Sequence, residues 1–582
     1  MRTVKKALLV VGVIVLAVVG VVVYYVANPN LPHYQAPSEV RYLPQWQDEA
    51  RQRFYYTPQG TLVKGLHYDW FTALELPFSE EPFAAPEYLA RFGFLVDPQQ
   101  KASDLNPGNL PVGFSQHRDE KTGTRYLDIT CAACHTVELR YQGKSLRIDG
   151  GAAMHSIAAT VPTLRGGAFG QALGASMAAT YYNPFKFNRF ARKVLGERYE
   201  QDKSQLRADF KAVLDTLLRT AWNDTRRHLY PTEEGPGRTD AFGRIANSVF
   251  GDAIDPGNYR VANAPVSYPQ VWDIWKCDCV QWNGSAMQPM ARNIGEALGV
   301  GARLQIFDEH GQPLQGEQRY ASSVRLHDLH ALEETLQQLK PPTWPEDLFG
   351  RIDLQRASQG RALFEANCAF CHAPKVQPAE YAAPGRNPEW RMHMVPTEVI
   401  GTDPTTADNI ADHRYDLRKL GWSVDELARM NVQLIGADPQ QLDLSQLSSA
   451  KGLAYITALV EQHAYRDAGI PPEQQKTMNG FDLPIGVQEL RAYKARPLDG
   501  VWATPPFLHN GSVPNLFQLL SPAAERSPQF YVGTFEFDPK FVGFRTEKFP
   551  GGFLLDTRLT GNRNSGHEFR DGCRQNGVIG RA

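Results

Sequence analysis

The sequence carries almost no net charge and no internal repeat. Its 61 Lys and Arg residues are matched by 63 Asp and Glu residues, which gives a formal net charge of −2 with interspersed signs. This balance argues against nucleic acid as a partner, because binding to a phosphate backbone requires a basic surface. No repeat of solenoid length is present either, so we expect two or three globular domains with their own cores.

Cysteine is scarce, with seven residues in 582. Four of the seven fall in two copies of Cys-x-x-Cys-His, which end at His135 and His372. This spacing is typical of covalent haem c, in which two thiols form thioethers with the porphyrin and the adjacent histidine becomes the proximal iron ligand. A zinc knuckle or a redox pair is the alternative for one copy, but two copies favour haem. The predicted haem-binding residues are Cys131, Cys134 and His135 for the first haem and Cys368, Cys371 and His372 for the second.

Three cysteines remain outside the two motifs, namely Cys277, Cys279 and Cys573. In an oxidising compartment they predict one disulfide and one remaining thiol. A bond between Cys573 and one of the other two is a hypothesis.

One long apolar run lies near the start of the chain, over residues 7–26. About 20 helical residues at ~1.5 Å each span the ~30 Å core of a bilayer. Basic residues precede the run and a Tyr-Tyr pair lies at its far end, which predicts an extracytoplasmic location for the rest of the chain. We therefore expect a cytoplasmic tail over 1–6, a transmembrane anchor over 7–26 in the bacterial inner membrane, and the bulk of the chain in the periplasm. A cleaved signal peptide is the alternative.

The local patterns favour helices over strands. The second motif follows a helical pattern over 360–367, as in small cytochromes c, whereas residues 126–130 before the first motif alternate. Helical patterns with charged faces also fill 187–219 and 424–463. We therefore predict a mainly α fold with few short strands.

A proline-rich stretch at 341–345 divides the chain into two cytochrome c-like halves. The predicted organisation is a periplasmic tether and N-terminal extension over 27–100, a first, catalytic haem c domain over 101–345, and a second, electron-transfer haem c domain over 346–582.

The order of several further motifs resembles that of the bacterial di-haem cytochrome c peroxidases. Between and after the two haem motifs of those enzymes come an Asn-x-Pro segment, a Trp-x-Gly segment, an Asn-x-x-Glu segment and a Thr-x-Pro…His-x-Gly segment. The corresponding stretches here are Asn263–Val266, Trp282–Gly284, Asn293–Glu296 and Thr504–Gly511. The ordered set covers most of residues 125–515.

Four more segments resemble the branch of this superfamily that includes the rubber oxygenases. They are Tyr68–Phe71, Arg147–Gly151, Asp240–Gly243 and Gly561–His567. In these families one haem handles peroxide or dioxygen, and the other stores or delivers an electron. The resemblance implies a small periplasmic cytochrome or the membrane quinol as electron donor.

The resemblance also implies catalytic roles for two residues. Trp282 matches the tryptophan between the two haems, where an indole can relay an electron; a core tryptophan is the alternative. Glu296 matches the distal carboxylate that moves a proton between the two oxygens of peroxide. Such a group needs a raised pKa, which the apolar neighbours Ala297 and Leu298 would favour. A glutamate on a helix surface is the alternative for Glu296.

Each haem iron has a second axial position, opposite its proximal histidine. If protein ligands fill this position on both irons, neither iron can bind peroxide or dioxygen, and the protein is an electron carrier rather than an enzyme. The eight residues before Asn263 lack the removable histidine of many peroxidases. This departure predicts an open or water-ligated first haem, with His155 as the rival ligand.

The second haem needs a different ligand from that of the peroxidases, because residues 515–521 contain no methionine. His567 resembles the second histidine of the rubber oxygenases and is the predicted ligand. Met392, His393 and Met394 are the alternatives, and we expect His509 to have a structural or propionate-contacting role.

Calcium is a further cofactor that the resemblance implies. Asn263, Thr504 and Pro506 match positions that hold a calcium ion in the peroxidases through hard oxygen ligands.

These features together predict a membrane-anchored periplasmic di-haem oxidoreductase that reduces peroxide at the His135 haem. Electrons would arrive through the His372 haem and pass by Trp282. The alternatives are an oxygenase that cleaves an unsaturated hydrocarbon such as polyisoprene, and an electron-transfer cytochrome whose irons are both doubly ligated.

Overall fold

The computed structural model describes most of the chain after residue 29. Its ranges are 30–98, 100–157, 168–373, 375–376, 389–434, 438–480 and 483–568. The tail 1–6, the anchor predicted over 7–26 and Cys573 lie outside them. No helix inside these ranges is long and apolar enough to cross a membrane, so the structure gives the predicted transmembrane helix no support.

The prediction of a mainly α fold is wrong, because the described residues are a mixture of helix and strand, 41% helical and 15% strand. Many of the strands are only two residues long. Others pair with strands that are distant in the sequence: β1, for example, pairs in parallel with β5, where Glu39 lies opposite Lys144. Pairing of this kind depends on tertiary contacts and leaves little local pattern.

The α-helices of the described ranges are α1 (Asp48–Tyr56), α2 (Tyr68–Ala73), α3 (Pro86–Ala90), α4 (Cys131–Cys134), α5 (Phe169–Tyr182), α6 (Pro184–Leu195), α7 (Tyr199–Arg226), α8 (Ala241–Ala246), α9 (Pro289–Val300), α10 (Leu326–Leu336), α11 (Glu346–Phe349), α12 (Leu354–Asn367), α13 (Ala369–His372), α14 (Thr397–Ile400), α15 (Thr405–Asp412), α16 (Val424–Ala428), α17 (Ser449–Asp467), α18 (Pro472–Met478) and α19 (Leu516–Leu519). A π-helical turn spans Asn247–Asp252. Short 3-10 turns lie at Leu62–Gly65, Gly196–Arg198, Pro256–Asn258, Ile274–Lys276, Gly316–Gln318, Arg418–Leu420, Pro439–Gln441, Val501–Ala503 and Ala523–Glu525.

The strands are β1 (Glu39–Tyr42), β2 (Phe114–Arg118), β3 (Arg125–Ile129), β4 (Thr136–Tyr141), β5 (Lys144–Asp149), β6 (Arg238–Thr239), β7 (Val266–Ser267), β8 (Lys375–Val376), β9 (Trp390–Arg391), β10 (His393–Pro396), β11 (Arg414–Tyr415), β12 (Val432–Leu434), β13 (Leu447–Ser448), β14 (Ile485–Val487), β15 (Ala492–Ala495), β16 (Gln529–Val532), β17 (Phe537–Asp538), β18 (Gly543–Phe544) and β19 (Phe553–Asp556). One sheet has three strands, in the order β1-β5-β4, and the other strands form pairs: β10-β15, β11-β13, β12-β14, β16-β19, β17-β18, β2-β3, β6-β7 and β8-β9.

The first Cys-x-x-Cys-His motif lies within β structure. The hairpin β2-β3 leads into α4, and β4 begins at Thr136, directly after the motif. The Thr130 hydroxyl donates to the Tyr55 carbonyl over 2.9 Å and ties the start of α4 to α1. The chain segments before and after the first motif are therefore both held by the surrounding β structure and by α1.

The second motif has the approach helix that the sequence predicts. Asp353 caps α12 by accepting hydrogen bonds from the backbone N–H groups of Gln355 and Arg356, each over 3.0 Å. The helix ends at Asn367, immediately before Cys368.

Two longer helical predictions have different outcomes. The pattern over 187–219 corresponds to α6 and α7, which are separated at Gly196, where φ is +55°. In the described part of 424–463, α-helix forms at the two ends, in α16 and α17, and a 3-10 turn lies at Pro439–Gln441. Strand β12 lies between them because it pairs with the distant β14.

Apolar packing crosses the predicted boundary at residue 345. Val137 and Trp272 share one buried cluster with Phe530 and Phe537, and Trp344 packs against that cluster. The domain limits given above stay a prediction.

Candidate haem-binding sites

The ring of His135 is oriented by a backbone carbonyl. Its Nδ1 atom lies 2.8 Å from the Pro269 carbonyl oxygen, which can only accept, so Nδ1 donates and Nε2 keeps its lone pair. Burial lowers the pKa of His135 to about 4. A neutral imidazole whose other nitrogen is tied to a carbonyl is the form that binds metals.

The two thiols of the first motif lie beside His135. Gln59 Nε2 contacts Cys131 Sγ at 3.1 Å, and burial raises the pKa of Cys134 to about 12. The Tyr268 ring lies 6.3 Å from the His135 ring, centroid to centroid. The motif therefore places two thiols and an oriented imidazole together, as attachment of haem c requires.

The second motif repeats this arrangement with another carbonyl. His372 Nδ1 lies 2.7 Å from the Arg496 carbonyl oxygen, and burial lowers the pKa of His372. The His567 ring lies 6.0 Å from the His372 ring at an interplanar angle of 66°. Burial, and next the neighbouring His372, lower the pKa of His567 to about 4.

The residues at both motifs fit haem c. Two imidazoles bound to one metal, each with a bond of about 2 Å, have ring centres about 6 Å apart. The separation between His372 and His567 matches this arrangement, and both rings are kept neutral by burial. At His135 the neighbouring ring is that of Tyr268, so the two sites differ in what faces the proximal histidine.

The tail that carries His567 is held by two side chains. The Arg526 guanidinium donates to the carbonyls of Asn564 (2.6 Å) and Gly566 (2.8 Å). Asn510 Nδ2 donates to the Arg563 carbonyl over 3.0 Å. The segment Thr504–Gly511 therefore contributes to the second site through Asn510, which positions the tail.

Trp282 lies between the segments that support the two proximal histidines. Its Nε1 donates to the Ser267 carbonyl over 2.9 Å, two residues before Pro269. Its own carbonyl accepts from the Lys494 N–H over 2.8 Å, two residues before Arg496. This is the position that the sequence predicts for a relay, and the relay role stays a prediction.

Glu296 lies close to the first motif. It interacts electrostatically with the thiols of Cys131 and Cys134. Gln281 Nε2 donates to its carboxylate over 2.8 Å. Burial raises the pKa of Glu296, and the Arg292 guanidinium opposes that shift. The structure thus brings the predicted carboxylate close to the first Cys-x-x-Cys-His motif, and its role in proton transfer stays a prediction.

His155 does not pair with His135 as His567 does with His372. Its ring stacks on Phe94 at 5.1 Å and lies 5.1 Å from the Tyr268 ring. Burial, and next the neighbouring His135, lower the pKa of His155 to about 3. His155 therefore lies near the first motif, and it stays the alternative ligand there.

Of the other candidate ligands, His393 lies at the second motif, because its ring is 5.1 Å from the ring of Phe370, which stands between Cys368 and Cys371. His393 therefore stays an alternative ligand. Met392 is buried, and its N–H donates to Asp278. His509 stacks on Tyr493 at 4.1 Å. Met394 lies beside Cys279, with 4.0 Å between the sulfurs.

The three predicted calcium ligands make separate contacts. The Asn263 side chain accepts from Asn409 over 3.0 Å, and the Thr504 hydroxyl donates to the Val501 carbonyl over 3.0 Å. Pro506 follows a cis peptide bond. In the described ranges no group of three or more His, Cys, Asp and Glu side chains is placed to hold a metal ion. Calcium stays a prediction.

Several supporting residues were not predicted from the sequence. Pro269 and Arg496 orient the proximal histidines through their backbone carbonyls. Because every residue has such a carbonyl, the residue types at these positions do not indicate the role. Gln281 and Arg526 belong to no recognised motif. Asn510 could have been found, because it lies within the segment Thr504–Gly511 that marks the resemblance.

Comparison with known proteins agrees with this arrangement. Residues 492–532 match the model of a RoxA-like, cytochrome c-like domain, and this segment contains both Arg496 and Asn510. Together with the two Cys-x-x-Cys-His motifs, the match supports haem c as cofactor and suggests haem-based oxidoreductase chemistry.

Two relatives come from Sinorhizobium fredii (strain NBRC 101917 / NGR234). The chain is 35% identical over 621 residues to its uncharacterized protein y4iJ, an alignment that covers 98% of this chain and 95% of that protein. It is 27% identical over 311 residues to the uncharacterized protein y4iM, covering 52% and 56% of the two chains. The chain belongs to the same family as y4iJ.

Proposed function

We propose that the protein reduces a peroxide, with His135 holding a reactive haem c and His372 with His567 holding a second, electron-storing haem c. The observation that carries the proposal is the difference between the two proximal histidines. His372 faces the imidazole of His567 at 6.0 Å, whereas His135 faces no second histidine ring among its described ring contacts. Bound haem c supplies a redox-active iron that binds a small oxidant wherever one axial position is open.

Glu296 would serve as the proton-transfer group of the reactive site. Its carboxyl lies near both thiols of the first motif and has a raised pKa caused by burial. The amide of Gln281 fixes one carboxylate oxygen, and Arg292 stabilises the anion. A carboxyl whose pKa is raised holds its proton to higher pH than an ordinary glutamic acid, which suits general acid–base catalysis.

Trp282 would connect the two sites. Its indole is bonded to the chain that supports His135, and its carbonyl is bonded to the chain that supports His372. Arg496 adds a direct link, because its guanidinium donates to the Gln270 carbonyl. These hydrogen bonds join the two supporting segments, which is consistent with electron transfer between the sites through Trp282.

Peroxide turnover by the full-length, haem-loaded protein tests the proposal. With a reduced small cytochrome c as donor, we expect oxidation of the donor that depends on hydrogen peroxide. The Glu296→Gln variant should lose most of this activity and keep both haems. Wild-type protein with both haems but no peroxide-dependent oxidation of any donor, whether cytochrome or quinol, would contradict the proposal.

An oxygenase is the second candidate, and the RoxA-like domain match over 492–532 favours it. Its substrate would be an unsaturated hydrocarbon such as polyisoprene. Oxygen uptake that depends on a polyisoprene emulsion, together with carbonyl products, would support this candidate. If peroxide turnover is absent and oxygen uptake is present, the oxygenase replaces the peroxidase.

The periplasm is our proposal for the location, with a small cytochrome or the membrane quinol as donor. The basis is the basic residues followed by the apolar run at 7–26, a pattern that directs export of the chain that follows. Release of the protein from spheroplasts, compared with a cytoplasmic marker, tests the location. Recovery with the cytoplasmic marker would contradict it.

A further inference from the structure

A pair of sulfur atoms lies in contact outside both haem motifs, with a third sulfur-bearing residue close by in the sequence. Cys279 is buried, and its Sγ lies 4.0 Å from the Sδ of Met394. Cys277 precedes Cys279 by two residues, and its Sγ contacts the Asp273 carbonyl at 3.8 Å. Neither thiol forms a disulfide within the described ranges. Lys494 is buried and interacts electrostatically with both thiols, which form, with the Met394 thioether, the sulfur cluster.

The thioether of Met394 is held in place by a glycine. Gly284 has φ of +68°, and a Cβ there would lie 2.9 Å from Met394 Sδ and 2.5 Å from Gln488 Nε2. Gln488 in turn donates to the Gly284 carbonyl over 2.6 Å. Close packing against the backbone thus fixes the sulfur beside Cys279.

Hydrogen bonds join the three chain segments that carry the cluster. The Met392 N–H donates to the Asp278 carboxylate over 2.9 Å, and Lys494 Nζ donates to the Cys279 carbonyl over 3.1 Å. Met394 and Lys494 are direct partners in the β10-β15 ladder. The geometry of the sulfur atoms is set by the fold before any ligand binds.

We propose that Cys277, Cys279 and Met394 form a binding site for monovalent copper. Thiolate and thioether are soft ligands, which select Cu(I) over hard cations. Metal–sulfur bonds of about 2.3 Å around a trigonal ion place the sulfurs about 4 Å apart, which matches the distance between Cys279 and Met394. Zinc would require a fourth ligand for its tetrahedral geometry.

The site also adjoins the connection between the two haem sites. Cys279 lies three residues before Trp282, and the same residue, Lys494, bonds both segments. Bound copper would therefore fix the backbone that leads into Trp282. This inference does not depend on which oxidant the protein reduces.

Copper binding to the reduced, haem-loaded, full-length protein tests the inference. Cu(I) is titrated in competition with bathocuproine disulfonate, and the copper bound per chain is measured by mass spectrometry of the metal. We expect one Cu(I) per chain, with an X-ray absorption spectrum of sulfur ligands only. Met394→Leu should weaken retention at least about tenfold, and Cys279→Ser should abolish it. Met478→Leu, at a buried methionine distant from the cluster, is the control and should bind like the wild type.

Three results would overturn the inference. The first is less than one tenth of a copper ion per chain in the wild type. The second is stoichiometric copper that Met394→Leu and Cys279→Ser leave unchanged. The third is a Cys277–Cys279 disulfide that persists under the reducing conditions of the titration. Haem content, measured on each variant, separates loss of the copper site from failure to fold.

Discussion

The two Cys-x-x-Cys-His motifs share a sequence pattern but occupy different surroundings. The first lies between strands, and its two middle residues, Ala132 and Ala133, are only 1% and 5% exposed. The second follows the helix α12, and neither α12 nor α13 contains a fully buried residue. His372 has a second imidazole opposite it, whereas His135 is contacted by the ring of Tyr268.

The comparison teaches that the motif fixes attachment and that distant segments decide what each site can do. Both proximal histidines donate to a backbone carbonyl, but those carbonyls lie 134 and 124 residues away along the chain. The ring that faces His372 comes from the tail. The five predictions below test this division of roles, beginning with the largest effect.

Removing the thiols of one motif should remove one haem. A double Cys131→Ala, Cys134→Ala variant has no thioether partner at the first site, so we expect half of the covalent haem, measured by the pyridine haemochrome spectrum and by intact mass. The Cys277→Ser variant is the control and should keep both haems. A double variant with the full haem content would show that the motif is not an attachment site.

His567→Ala should convert the second haem from low spin to high spin, because one of two strong ligands is lost. Resonance Raman spin-state markers measure the change, and both haems should stay covalently attached. His155→Ala is the matched control, a buried histidine near the other motif. If His155→Ala removed a low-spin component and His567→Ala did not, the assignment of the two histidines would be reversed.

Glu296→Gln should lower peroxide turnover by about 10²- to 10⁴-fold, the usual contribution of general acid–base catalysis. The raised pKa of Glu296 also predicts that wild-type activity depends on pH, and that this dependence disappears in the variant. Glu461→Gln is a close control, because Glu461 is another buried glutamate that accepts from a glutamine amide, that of Gln288, over 3.0 Å. Equal losses in both variants would argue against a catalytic role.

Trp282→Phe should slow electron transfer between the sites by roughly tenfold, which corresponds to about 1.4 kcal/mol in the barrier. The substitution replaces the indole by a smaller phenyl ring, and the hydrogen bond from the indole N–H to the Ser267 carbonyl is lost. Stopped-flow reduction, followed at wavelengths specific to each spin state, measures the rate. An unchanged rate together with unchanged turnover would place the electron path elsewhere.

The Glu461→Gln variant should change stability rather than catalysis. Burial raises the pKa of Glu461 from 4.5 to about 7, so the folded state favours the protonated form. The stability from this group is complete below pH 4.5 and is lost as the pH rises through 7. At pH 8 the variant should therefore be more stable by about 3 kcal/mol, and at pH 4 the two proteins should be equal. Urea denaturation at both pH values measures this, and an equal difference at both would contradict it.

The sequence was most informative where chemistry depends on adjacent residues. The two motifs and the helical pattern over 360–367 were predictable, because thiol spacing and helical periodicity are local properties. The prediction of Glu296 depended on the family resemblance. The prediction of His567 depended on a resemblance, since nothing adjacent to that residue indicates a ligand. The structure places it opposite His372, where such a ligand would lie.

What the sequence could not predict depends on long-range contacts. The mainly α prediction failed because strands such as β1 and β12 exist only through pairing with β5 and β14. The carbonyls that orient His135 and His372 belong to Pro269 and Arg496, residues whose side chains have no part in that contact. The position of Trp282 between these two supports likewise becomes visible only in the folded chain.

The two haem sites, as proposed here, differ in axial ligation. Electron paramagnetic resonance of the fully oxidised, haem-loaded protein, before and after one reducing equivalent, tests this difference most directly. The account predicts one low-spin ferric signal from the His372 and His567 site, and a high-spin ferric signal from the His135 site in at least one of the two states. Two low-spin signals in the oxidised state, with no high-spin signal before or after reduction, would contradict it and indicate an electron-transfer cytochrome.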